Sequence, residues 1–174
     1  MITLPPARYW IRGAVVVLVL AFAYAIWPTD VRRVERQSRK LLSLIGKTGP
    51  ESVPAAALRV HQASQLIMPE AAFRLGEPFP TRFDKSELTA MLQQARQRAD
   101  LIEVKNLGHD VAMQEPDRIA LDMSLEANVV WRGERESMIG TYRLTWDRTE
   151  DGWRLSAAEV RDVIQHPMAL PAWP

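Results

Sequence analysis

The chain has 174 residues, a formal net charge of +1 and 25% charged residues, and it contains no cysteine. The lack of cysteine excludes disulfides, thiol catalysis and cysteine-ligated metal sites. The balanced charge favours neither nucleic acid nor a strongly acidic partner. Once a candidate membrane helix is set aside, roughly 150 residues remain, enough for one domain with a normal hydrophobic core.

An apolar stretch near the N-terminus is the most distinctive feature of the sequence. No charged side chain lies between Gly13 and Trp27, and about 19 helical residues would span roughly 28 Å, close to the hydrocarbon thickness of a bilayer. Aromatic residues flank the stretch, as in interfacial belts. The pattern predicts a transmembrane helix over residues 9–27 after a short head of residues 1–8. Its interfacial anchors would be Tyr9, Trp10, Arg12 and Trp27.

A cleaved signal peptide is the alternative interpretation of this stretch. The apolar run is longer than a usual signal-peptide core, and no small-x-small cleavage site follows it, so a retained span is favoured. A buried core helix is disfavoured because the run is apolar on all sides. One face carries small residues and could pack closely on a neighbouring helix. That face consists of Ala14, Leu18, Ala21 and Ala25.

A basic amphipathic helix is predicted directly after the span. Thr29 suits its N-cap, apolar residues recur at three- and four-residue steps from Val31 to Ile45, and Gly46 suits its C-cap. Its other face is basic and would lie near the membrane surface. Contact with anionic lipid head groups and a merely solvated helix face explain this pattern equally well. The residues concerned are Arg32, Arg33, Arg36, Arg39 and Lys40.

Two further helices and a short strand are predicted next. Pro54 opens a helix that we expect to run to Ile67, and residues 72–75 suit a short strand. The spacing Asp84-x-x-Glu87 is typical of a capping box and predicts a third helix. Its buried stripe would be Leu88, Met91, Leu92 and Ala95.

The rest of the chain reads as long strands. Residues 101–115 form a strand that is broken at Gly108, a plausible bulge. The alternation from Ile119 to Val129 indicates a strand with one buried and one wet face. Met138, Gly140, Tyr142, Leu144 and Trp146 mark the apolar face of the next strand, and the last strand shifts phase near Val160. Helices followed by antiparallel strands make an α+β domain.

This order of elements, with the closing hairpin Trp146-Asp-Arg-Thr-Glu-Asp-Gly-Trp153-Arg-Leu155, resembles the nuclear transport factor 2-like superfamily. The resemblance covers about residues 30–164, and it assigns residues 28–164 to one domain. It implies a cystatin-like cone, in which a curved antiparallel sheet wraps around helices. Bacterial members with one N-terminal span include an inner-membrane assembly component of type IV secretion systems and accessory proteins of mycobacterial lipid importers.

The resemblance and the lack of cysteine favour a single-pass protein of the bacterial inner membrane with a periplasmic domain. A strict count of Lys and Arg around the span would instead place the domain in the cytoplasm.

Some members of the superfamily are enzymes with an Asp or His on the concave face. Here the inward positions of the 119–129 strand are all apolar, Asp122 and Glu126 fall on the opposite face, and the equivalent face of the next strand offers only Tyr142 as a polar group. We therefore expect a filled core, no catalytic residue, no enzyme and no cofactor. His109-Asp110 is the first candidate acid/base pair if a pocket exists.

Metal and nucleotide sites are also disfavoured. His61, His109 and His166 lack metal-ligand spacing, and the sequence has no phosphate-binding glycine motif. The arginines are not interleaved with aromatic residues in a stripe, which argues against nucleic acid.

The Pro-rich C-terminal arm, residues 165–174, suits an extended segment or a frayed terminus. We favour docking on a partner or on the cone itself, through Met168, Leu170 and Trp173.

The leading hypothesis is a membrane-anchored, non-catalytic accessory or assembly subunit that acts through protein–protein contacts with other membrane subunits. The alternative is a module that holds a lipid or other apolar ligand in its cone, and a small isomerase-like or hydrolase-like enzyme comes third. A cone filled by Met123, Met138 and Trp146 would exclude the ligand-binding alternative.

Overall fold

The computed structural model describes residues 29–75 and 82–165. The helices in these ranges are α1 (Asp30–Ile45), α2 (Val53–Gln65) and α3 (Lys85–Arg98). The strands are β1 (Ile67–Arg74), β2 (Leu101–Glu115), β3 (Arg118–Trp131), β4 (Glu134–Thr149) and β5 (Gly152–Gln165). The predicted membrane helix, with its anchors and packing face, and the arm carrying Met168, Leu170 and Trp173 lie outside the described residues. In the part of the chain that is described, no helix is long and apolar enough to span a bilayer.

The predicted caps of α1 and α3 are confirmed. The Thr29 hydroxyl accepts a hydrogen bond from the Arg32 backbone N–H, and the Gly46 N–H closes α1 on Leu42 O. At the start of α3, the Asp84 carboxylate accepts from the Glu87 N–H while the Glu87 carboxylate accepts from the Asp84 N–H, both at 2.9 Å. Reciprocal satisfaction of free N–H groups fixes the first turn of a helix.

The predicted end of α2 is wrong by two residues. The helix ends at Gln65, and β1 begins at Ile67 rather than at residue 72. The Leu155 N–H donates to Leu66 O at 2.8 Å, which starts the pairing of this segment with β5. Pro69 is tolerated because β1 is an edge strand and its register is irregular between Ile67 and Ala72.

The five strands form one sheet in the order β1-β5-β4-β3-β2. β1 runs parallel to β5, and the other neighbours are antiparallel. The predicted irregularity at Gly108 is confirmed by a register shift between Asn106 and Gly108. The phase shift in β5 is also a bulge. Tyr142 pairs with Val160, whereas the preceding residue, Thr141, pairs with Asp162, so one residue of β5 is left without a partner between them. Such bulges bend strands and increase their twist, which suits a curved sheet.

The alternation along β3 places its apolar residues against the helices, as predicted. Ile119, Leu121 and Met123 are at most 1% exposed. The opposite face of the sheet is polar and carries cross-strand ion pairs. Arg143 donates two 2.7 Å hydrogen bonds to Asp122 on the neighbouring strand, and this contact lowers the pKa of the Asp122 carboxyl. Opposite charges in directly facing positions fix the register of β3 and β4.

Two helix ends are joined by a buried polar network around Arg96, whose side chain is completely buried. Its Nη1 donates to the carbonyl oxygens of residues 44–46 at 2.8–2.9 Å, at the C-terminus of α1. Its Nη2 lies 2.7 Å from a Glu51 carboxylate oxygen. In return, Lys47 Nζ donates to Arg96 O and to Ala99 O at the C-terminus of α3. The C-terminus of α1 is thus capped by Arg96 of α3, and the C-terminus of α3 is capped by Lys47, which follows α1 in the chain.

The basic face of α1 is solvent-exposed. Within α1, Arg33 pairs with Asp30 at 3.4 Å and Arg39 pairs with Glu35 at 3.8 Å. Both pairs lie on the surface, where they contribute little to stability. Contact of this face with lipid stays a prediction.

Candidate ligand-binding cavity

A cavity of about 330 Å³ lies between the helices and the sheet. All five strands of the sheet and all three helices contribute residues to its lining. The predicted filled core is therefore wrong. Met123 and Trp146 are at most 1% exposed and do not line the cavity. Met138 lines the cavity without filling it, at the end nearer the β3–β4 turn.

The lining is almost entirely aliphatic and aromatic. β3 continues its inward alternation through Leu125, Ala127 and Val129, and these side chains are half-buried because they face the cavity rather than packed atoms. The predicted stripe of α3 faces the same space. Small side chains at Ala95 and Ala127 on opposite walls help to leave the volume open. Pockets for small molecules are typically built this way, with few polar groups in an apolar surface.

Glu136 brings a carboxyl group to this apolar lining. It lies near the start of β4, directly opposite Val129 of β3, and its Oε2 is buried without a hydrogen-bond partner. Burial raises the pKa of the Glu136 carboxyl, and the nearby charge of Glu134 raises it further. Buried polar groups are nearly always paired, so a lone carboxyl oxygen calls for a functional explanation.

Sequence analysis missed Glu136, although the signal was present. The alternation that marks Met138 to Trp146 as the inward face of β4 gives Glu136 when it is extended by one step towards the N-terminus. A face defined by apolar residues alone omits this position, because the extension ends in a charged residue.

Tyr142 is the second ionisable group of the lining. Its hydroxyl reaches back four residues to Met138 Sδ at 3.7 Å, a weak contact, and burial raises the pKa of the phenol. Gly140 makes room for this ring, because a Cβ there would lie 3.2–3.3 Å from Tyr142 atoms and 3.0 Å from Asp162 O. The Tyr142 hydroxyl is therefore held over β4, and its weak contact with sulfur leaves it able to donate a stronger hydrogen bond to another acceptor.

No lysine, arginine or histidine is among the described residues, 29–75 and 82–165, that line the cavity. Ser64, Thr89 and Ser137 add hydroxyl groups. The described ranges contain no group of acidic or histidine side chains that could hold a metal ion. The described lining is therefore apolar except for one carboxyl group, one phenol and a few hydroxyl groups.

The predicted acid/base pair does not belong to the cavity. His109 Nε2 lies 3.1 Å from a Glu35 carboxylate oxygen, which ties β2 to α1, and Asp110 is exposed. His61 is exposed on α2 and contacts Gln65 at 3.1 Å. Asp122 and Glu126, as predicted, are absent from the lining.

No protein-family model and no curated protein matches the sequence. Solved structures do match, and they show that the chain has the nuclear transport factor 2-like fold. One is a nuclear transport factor 2-like superfamily protein from Salmonella enterica, with 12% identity and a TM-score of 0.61 over 78% of this chain and 92% of that chain.

Other similar structures carry the names of enzymes. A candidate scytalone dehydratase from Novosphingobium aromaticivorans has 12% identity and a TM-score of 0.65, over 82% of this chain and 90% of that chain. A type 2 hexachlorocyclohexane dehydrochlorinase has 10% identity and a TM-score of 0.56, over 81% of this chain and 90% of that chain. At these identities the likeness shows the fold alone.

These matches correct the expectation that the chain is not an enzyme. The expectation rested on a filled core and on inward positions without a carboxyl or imidazole group. The fold is shared with chains named as enzymes, the core contains a cavity, and Glu136 lines it.

Proposed function

We propose that this chain, which has the nuclear transport factor 2-like fold, binds a small apolar molecule in its cavity and uses Glu136 as the proton-exchanging group there. The observation that carries the proposal is the lone carboxyl in an apolar cavity. At about 30 Å³ for each water molecule in the liquid, a cavity of about 330 Å³ suits a guest with on the order of ten non-hydrogen atoms.

The composition of the lining supports an apolar guest. An empty cavity loses the dispersion contacts that a packed core would make, and a guest that fills it would recover them. Water is a poor guest for most of this surface because it needs two to four polar partners, and the described lining offers such partners at few positions.

The raised pKa of Glu136 supports acid/base chemistry on the guest. The shift means that the carboxyl keeps its proton to a higher pH than an exposed glutamate does. Carboxyls tuned in this way serve as general acids or bases in apolar sites. Tyr142, with only a weak hydrogen bond to sulfur, would donate to an oxygen of the guest.

Filling the cavity tests the proposal. In the full-length protein, phenylethanol should raise the free energy of unfolding, by about 1.4 kcal/mol at ten times its dissociation constant. Ala95→Phe places a ring into the cavity and should abolish this stabilisation. Ala90→Phe, at an exposed position of the same helix, should leave it intact. Urea unfolding with and without phenylethanol measures the free energy of unfolding of the unsubstituted protein and of both variants.

The proposal fails if phenylethanol does not stabilise the unsubstituted protein. It also fails if Ala95→Phe, with a normal unfolding transition, is stabilised as much as Ala90→Phe, because the probe would then bind elsewhere.

We keep as a further proposal that the chain is anchored in a membrane and associates with other membrane subunits. Its support is the sequence of residues 9–27 and the exposed basic face of α1. Deletion of residues 1–28, or of residues 165–174, should remove partners that the full chain retains on purification in mild detergent. Unchanged co-purification after both deletions would exclude the subunit role.

A further inference from the structure

The charges around the cavity are strongly one-sided. Among the described residues that line the cavity, Glu136 is the one acidic side chain and none is basic, and Glu134, two residues away on the same strand face, adds a second carboxyl group. A guest with a carboxylate or phosphate would bring a third negative charge into an apolar space without a cation to meet it. Burial of like charges in such a medium is strongly unfavourable.

We infer that the natural guest is an apolar amine, bound with its ammonium group at the Glu136 carboxylate and its hydrocarbon part along the lining of β3 and α3. The inference rests on the proposed function and names the class of its ligand. Glu136 lines the cavity and no described residue donates a hydrogen bond to its buried Oε2, so an ammonium N–H at the carboxylate would supply the charge-assisted hydrogen bond that the site lacks. The guest thereby supplies the cation that the protein lacks at this place.

The aromatic residues of the lining fit the same ligand. Trp131 and Tyr142 both line the cavity, and the faces of such rings attract cations. The protein itself already uses this attraction, because the Arg98 guanidinium lies over the Trp131 ring, 5.9 Å from its centre. An apolar surface with aromatic rings and a single carboxylate is the combination that recognises an organic ammonium ion.

Arg98 does not neutralise the site in place of a ligand. It is exposed on α3 and does not line the cavity, and its described contact is with the Trp131 ring rather than with Glu136. Of the charged groups that act on Glu136, Glu134 is the one that shifts its pKa. The local balance therefore remains negative.

Three probes of nearly equal size test the inference. Phenylethylamine, phenylethanol and phenylacetate share one hydrocarbon part and differ in the charge of the head group. In isothermal titration of the full-length protein, the amine should bind at least about tenfold more tightly than the alcohol, the value expected for one hydrogen bond to a charged group. The carboxylate should bind most weakly.

Two carboxyl variants locate the effect. Glu136→Gln should bring the affinity for the amine down to that for the alcohol, while the affinity for the alcohol changes little. Glu134→Gln removes the exposed neighbouring charge and should keep most of the preference for the amine.

Each outcome separates this inference from the proposed function. Equal binding of amine and alcohol, or tighter binding of the carboxylate, overturns the inference and leaves apolar binding intact. An equal loss of preference in both variants would mean a general surface attraction, and it too overturns the assignment to Glu136. If none of the probes binds, the proposed function itself fails.

Discussion

Replacement of Arg96 by methionine should lower the free energy of unfolding by about 3–5 kcal/mol, the cost typical of breaking a buried ion pair. The substitution removes the hydrogen bonds to the carbonyl oxygens of residues 44–46 and leaves Glu51 without its buried partner. Methionine has a similar length but no donor, so those oxygens would stay unsatisfied inside the protein. Urea unfolding of the full-length variant in mild detergent measures the loss.

Arg59→Met is the matched control for this prediction. Arg59 binds the same Glu51 carboxylate at 3.2 Å, but its side chain is 49% exposed. Its removal should cost less than about 1 kcal/mol, as for other surface pairs. Similar losses in the two variants would mean that the effect lies in the charge of Glu51 and not in the capping of α1 by Arg96.

Replacement of Glu136 by leucine should raise the free energy of unfolding by about 1 kcal/mol and abolish the preference for the amine. The substitution removes a buried carboxyl oxygen without a partner and adds apolar surface to an apolar cavity. Such a gain in stability with loss of binding is typical of groups that are kept for function. Glu134→Leu, at an exposed position, should change stability by less than about 0.5 kcal/mol.

The gain from Glu136→Leu should depend on pH in a defined direction. Because its pKa is raised in the fold above the ordinary value of 4.5, the folded protein binds this proton more tightly than the unfolded chain does. Stability is therefore lost as the pH rises from about 4.5 to the folded pKa. The variant lacks this loss, so its advantage should grow across that interval and then stay constant. An advantage that is largest at low pH would contradict the assigned burial of the carboxyl.

Local signals in the sequence predicted most of the secondary structure. The capping box at Asp84 and the cap at Thr29 were found because each depends on residues within one helical turn. The alternation along β3 and the bulge at Gly108 were found because strand faces repeat every two residues.

Features that depend on distant residues could not be predicted in the same way. Arg96 lies in the last turn of α3, where any cation suits the helix dipole, but the partners that explain its burial lie 45–52 residues away in the chain. The cavity depends on how closely the helices approach the sheet, which no local pattern specifies. Glu136 is an intermediate case. The alternation along β4 places it on the inward face, but no local pattern predicts the cavity that this face lines.

The most direct test of the central claim is a crystal structure of the full-length protein grown with phenylethanol. We expect electron density for the probe between α3 and the β3–β4 face, in contact with Leu92, Leu125 and Met138, and its hydroxyl within reach of Glu136. A cavity closed by its own side chains, or a probe bound only at the protein surface, would contradict it.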